Sequence, residues 1–85
     1  MDVAEVGRAV RAMRGERTRA EFIREVYDTT GEYMRDPALY RIEAGRYAGY
    51  VLPEAHALMI AYPQLAPLFL GRKLYERIVN HQSTL

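Results

Sequence analysis

Apolar positions recur at helical spacing from the N-terminus onward. Val3, Val6, Val10 and Met13 follow one another three or four residues apart, with Ala9 beside them, so they share one stripe of a helix. Arg8, Arg11 and Arg14 fall outside that stripe or at its edge, and Gly15 ends it. A second helix opens with Thr18-Arg19-Ala20-Glu21. This is a capping box: the Thr hydroxyl accepts from the N3 amide while the Glu side chain reaches back to the cap amide. Phe22, Ile23, Val26 and Tyr27 form the apolar face behind it, and Thr29-Thr30-Gly31 close the helix. Little chain separates Arg14 from Thr18, so the two helices meet at a sharp angle and do not continue as one rod.

Asp36-Pro37 reads as an N-cap followed by proline at N1, where a missing N–H costs nothing. The pattern predicts a third helix over 37–44, with Leu39 and Ile42 inward and Ala38, Tyr40 and Arg41 outward. Gly45 suits a left-handed C′ residue. A helix this short gains its stability from packing. Residues 46–50, with Gly49, read as a loop. Pro53 starts a fourth helix whose inward face is Ala55, Leu58, Met59 and Tyr62, and Pro63 stops it. A fifth follows Pro67, with Leu68, Gly71, Leu74, Tyr75 and Ile78 inward and Arg72, Lys73 and Arg77 outward; residues 80–85 read as a frayed tail. No segment alternates with a two-residue period. The expectation is an all-α fold of five short helices: one domain over 1–80 and a flexible tail over 81–85.

Composition narrows the function more than the fold. A chain of 85 residues has room for one small core and not for separate cofactor and substrate domains. There are no cysteines, which excludes disulfide frameworks, Cys-based zinc sites and thiol catalysis. The longest apolar run, 57–62, falls far short of the roughly 20 residues a membrane span needs. A cytoplasmic protein with no membrane partner is expected. Lys+Arg number 12 and Asp+Glu 11, and a net charge of +1 provides no whole-molecule field for a polyanion. The basic residues are nonetheless almost all Arg, whose planar fork pairs bidentately with carboxylate, phosphate or guanine edges.

Enzymatic chemistry finds no foothold. His56 and His81 share no ligand spacing, no Ser or Thr sits in a nucleophile elbow, and the glycines are scattered. The acidic pairs Glu21 with Glu25 and Asp28 with Glu32 read as solvated faces. No enzyme, metal or cofactor is expected. What remains is a sharp turn between helices and a third helix exposing Ala38, Tyr40 and Arg41. A short helix with small residues near its start can approach base edges in a major groove, and Arg41 is placed to fork onto guanine. Thr18 and Arg19 open the second helix, where free amides and the helix dipole favour a phosphate. Arg46, Tyr47 and Tyr50 follow the third helix within reach of neighbouring phosphates. The same spacing also suits a half-buried cluster of Tyr40, Tyr47 and Tyr50 with Arg41 paired to a carboxylate. Spacing alone does not choose between them.

Four motifs, in order, resemble the lambdoid-phage repressor and Cro type of helix-turn-helix domain, the XRE-like group. They are Val10-Arg11-Ala12-Met13-Arg14, Thr18-Arg19-Ala20-Glu21-Phe22-Ile23, Leu39-Tyr40-Arg41-Ile42-Glu43-Ala44-Gly45-Arg46, and Val51-Leu52-Pro53-Glu54 leading into Leu58-Met59. The resemblance implies a compact repressor-like fold and a sequence-specific transcription regulator of phage or prophage origin. Such a protein would occupy operator DNA as a homodimer in a bacterial or phage-infected cell. It further implies a scaffold ion pair between Arg14 and Glu43. Arg19 would stand at the helix-two contact position, Asp36, Pro37, Ala38 and Arg41 at base-facing positions, and Arg46 at a backbone-contacting one. Arg35 and Tyr40 fall on the same expected face. Leu68, Leu74, Tyr75 and Ile78 are the candidate dimer surface, and the same residues suit packing back on the protein's own core equally well. The chain departs from the pattern in a shorter loop after Arg14 and a longer segment over 26–36, whose extra material is residues 27–32. That insertion brings two carboxylates toward the expected DNA face. It leaves a second expectation standing: a protein-interaction module on the same fold, antitoxin-like or a phage host-takeover protein, using the Tyr-rich surface over 33–50.

Overall fold

The computed structural model describes residues 2–47 and 52–83 and is helical throughout its regular structure. Helix α1 spans Val3–Arg14, and its start is fixed by the Asp2 carboxylate, which accepts from the Ala4 and Glu5 amides at 3.0 and 3.3 Å. Helix α2 spans Arg19–Thr30 behind the complete Thr18/Glu21 capping box. Helix α3 spans Asp36–Glu43, and α4 spans Pro53–Ala61. A single 3₁₀ turn, Pro63–Leu65, leads into α5, Ala66–Leu70, and then α6, Arg72–Ser83.

The described residues therefore hold six α-helices where the sequence pattern predicted five. The extra boundary lies at Gly71, whose φ of 81° takes the chain out of helical geometry between α5 and α6. That break changes which residues face inward. Phe69 and Leu65 enter the core, Leu68, Leu74 and Tyr75 are half-buried, and Ile78 is exposed. The helix also continues through Ser83, into residues expected to form the tail; residues 84–85 lie outside the described residues, as do Ala48, Gly49, Tyr50 and Val51.

One core runs through the fold. It joins Val6 and Val10 of α1, Phe22, Ile23 and Val26 of α2, Leu39 and Ile42 of α3, and Ala55, Ala57 and Leu58 of α4 to Leu65 and Phe69. Met34, in the connection between α2 and α3, is fully buried and pins that connection to the core. Helix α4 is apolar nearly all round because it packs inward on several sides, against α2 and the 3₁₀ turn. Helix α3 packs principally against α1, and α6 against α5. No helix among the described residues is long and apolar enough to cross a membrane.

Candidate nucleic-acid interface

Helix α3 is positioned by its neighbours more than by its own propensity. Gly7 on α1 lies so close that a Cβ there would stand 2.7 Å from both the Ile42 and the Glu43 carbonyl oxygens. The same end is held by Arg14, whose Nε and Nη2 donate to Glu43 Oε2 and Oε1 at 2.8 and 3.0 Å. Both side chains of this bidentate pair are largely buried, and the hydrogen bond to Glu43 raises the Arg14 guanidinium pKa further. The pair ties α1 to the end of α3.

The start of α3 is held by a second pair that the sequence did not reveal. Glu54 on α4 is 1% exposed, and its carboxylate accepts from the Arg35 backbone amide at 3.1 Å and from Arg35 Nε and Nη2 at 2.9 and 3.2 Å. Burial pushes the Glu54 carboxyl up, but the hydrogen bonds from Arg35 outweigh it and leave it below its ordinary value. The legible clue was an acid between Leu52 and the inward positions Ala55 and Leu58, where an unpartnered carboxylate would be costly. Arg17 was missed as well. It donates to the Met13 and Arg14 carbonyls at 2.6 and 2.9 Å, capping α1, pairs with Glu25, and lies 4.9 Å over the Phe22 ring.

Around this scaffold the expected contact residues separate. Ala38, expected outward, is 1% exposed, because α3 turns it with Leu39 and Ile42 onto the core; it cannot contact a base in this arrangement. Asp36 is not the N-cap. That position belongs to Arg35, with no side-chain cap bond, and Asp36 is the first helical residue. Its carboxylate instead accepts from Arg19 Nε at 2.6 Å, so Arg19 is already paired, and its guanidinium lies 5.3 Å over the Tyr40 ring. Arg35 is committed to Glu54. Tyr47 packs against Phe69, ring centroids 6.2 Å apart, and burial pushes its phenol up to about 12, so it faces the core more than a phosphate. Thr18 is exposed, but its hydroxyl serves the capping box. The tyrosine cluster is therefore divided: Tyr47 is inward, Tyr40 is outward, and Tyr50 is outside the described residues.

Asp36, Pro37, Tyr40 and Arg41 stay outward on α3, as does Ala44 at its C-cap; Asp36 is taken up by Arg19, which leaves Pro37, Tyr40, Arg41 and Ala44. These positions are three and four apart and form one stripe. Arg46 joins them through the helix terminus. The Gly45 amide donates to the Ile42 carbonyl at 3.0 Å and the Arg46 amide to the Arg41 carbonyl at 2.8 Å, with Gly45 at φ 70°. This is a Schellman close, and it fixes the Arg46 backbone against the Arg41 carbonyl. Both are exposed, and among the described residues neither has a carboxylate within ion-pair distance. The described residues contain no group of three His, Asp or Glu side chains that would hold a metal ion. No protein-family model, curated protein or solved structure matches the chain.

Proposed function

We propose that this protein binds duplex DNA and regulates transcription, with the outward stripe of α3 entering the major groove. The observation that supports this most is the pair Arg41 and Arg46. Their backbones are joined across the close of a helix anchored by Gly7, Arg14 and Glu43. Among the described residues, like Arg8, Arg11, Arg72, Lys73 and Arg77, they lack the carboxylate partners that Arg14, Arg17, Arg19, Arg24 and Arg35 have. Pro37 and Ala44, at either end of the stripe, are short enough to let the backbone approach base edges. Arg41 then forks onto a base pair, and Arg46 meets the adjacent phosphate. Arg19 is paired with Asp36 and lies over the Tyr40 ring, so its charge is largely offset and it is assigned a supporting role and no phosphate contact.

A second copy would present a second α3 to the next groove. Its seat in this reading is α6, where Ile78 and Val79 are exposed beside half-buried Leu74 and Tyr75, while Leu68 belongs mainly to the protein's own core.

Selection from a random duplex library tests the reading. An enriched motif is expected. Arg41→Ala should broaden it, with a loss of roughly 1–3 kcal/mol at one position, while Arg46→Ala weakens all duplexes about equally. No enrichment, together with no mobility shift at low salt, would overturn the proposal.

A further inference from the structure

The long end of α2 and residues 31–35 build a groove that the outward stripe of α3 leaves unused. Ala20 and Ile23 form its floor and Tyr27 and Tyr33 its walls, enclosing about 480 Å³. A second groove of about 360 Å³ shares Tyr33 and Asp36 with the first and runs past Pro37 to Arg41. The two charged groups that line the first groove are already paired with residues outside it, Arg24 with Asp28 and Asp36 with Arg19. Its remaining surface is aliphatic and aromatic, and the two wall tyrosines are left 48% and 65% exposed. At the far end stands Arg41, with no carboxylate within ion-pair distance among the described residues.

We propose that these joined grooves dock a segment of a partner protein that carries a large apolar side chain followed by a carboxylate. The apolar anchor lies between Tyr27 and Tyr33 over Ile23, and the carboxylate meets Arg41. Tyrosine walls suit this task because they bury a large rigid surface at little cost in side-chain entropy. Duplex DNA fits the pair of grooves less well, since it offers phosphates and base edges but no large apolar group for the first groove. Arg41 also belongs to the DNA-facing stripe, so the partner and DNA exclude one another. That exclusion rests on the DNA-binding reading; the docking itself does not.

The test is a selection of displayed random peptides against the full chain. The enriched peptide is then measured by fluorescence anisotropy on the parent protein and on Tyr27→Ser, Tyr33→Ser and Arg41→Glu, each shown by circular dichroism to keep its helix content. Peptides pairing an aromatic or large aliphatic residue with Asp or Glu are expected, with affinity falling at least about tenfold in each variant. The peptide should also displace a selected duplex from the parent protein, while Tyr27→Ser binds that duplex unchanged. The docking site is overturned if no consensus emerges or if the tyrosine variants bind the peptide as well as the parent. It is also overturned if Tyr27→Ser loses duplex and not peptide, which assigns the groove to DNA. A ternary complex overturns the exclusion. If no duplex binds while the peptide losses hold, the docking site stands and the regulator reading alone falls.

Discussion

A methyl group at Gly7 would meet two backbone carbonyl oxygens of α3 at 2.7 Å, and backbone cannot move aside as a side-chain end can. Replacing a mid-helix glycine with alanine ordinarily stabilises a helix by roughly 0.5–1 kcal/mol. Here the sign reverses: Gly7→Ala should lower stability by roughly 1–3 kcal/mol, the usual cost of overpacking, as read from the urea midpoint. A raised midpoint would mean that α1 and α3 are not packed this closely. The Arg14–Glu43 pair makes a companion case. Arg14→Ala strands a largely buried carboxylate and should cost roughly 3–5 kcal/mol, whereas Arg14→Met with Glu43→Leu should recover much of that loss. Equal losses in the single and double variants would show that the carboxylate is not the source. The pair was legible only through the order of motifs. No spacing rule connects positions so far apart in the chain, just as none connected Arg35 to Glu54.

At the scale of elements, the caps were the most readable signals. The Thr18/Glu21 box, the close of α2 at Gly31, the left-handed Gly45 and the stop at Pro63 all depend on neighbouring residues, so sequence order contains them. Ala38 and Phe69 were not readable in the same way. Which side of a short helix faces inward depends on how α1 and α4 seat it, and the break at Gly71 rotated the face expected of the fifth helix. Residues 27–32 form the last turn of α2 and the start of a connection anchored by Met34. The start of α3 also carries a pH signature. Glu54 lies below its ordinary value of 4.5 in the folded chain, so on acidification the unfolded chain takes up the proton first. The stability this pair contributes is complete above that ordinary value and is lost as the pH falls through the lower folded value. Urea midpoints measured between about pH 6 and pH 2 should fall less steeply for Glu54→Gln than for the parent. Parallel curves would show that the pair does not carry the acid sensitivity.

For the whole molecule, a net charge of +1 is a poor guide to local charge. Five arginines are paired with carboxylates among the described residues, including Arg19 and Arg35, which the sequence had placed on the DNA-facing side. The α3 face is left with Arg41 and Arg46 as cations free of such partners. Each phosphate contact contributes a slope of about −0.9 to the log–log dependence of binding on salt. The proposed DNA-binding reading, with so few available cations on that face, therefore predicts a shallow dependence and reliance on fit more than on field. Arginine content was legible from the start; its division into paired and available groups requires the folded positions. The most direct test of the central claim is amide chemical-shift mapping of the labelled protein on titration with its best-bound duplex. Shifts concentrated at Tyr40, Arg41, Ala44 and Arg46 are predicted. Shifts confined to α6 or to the outer face of α1, or none on that stripe at saturating duplex, would contradict the account.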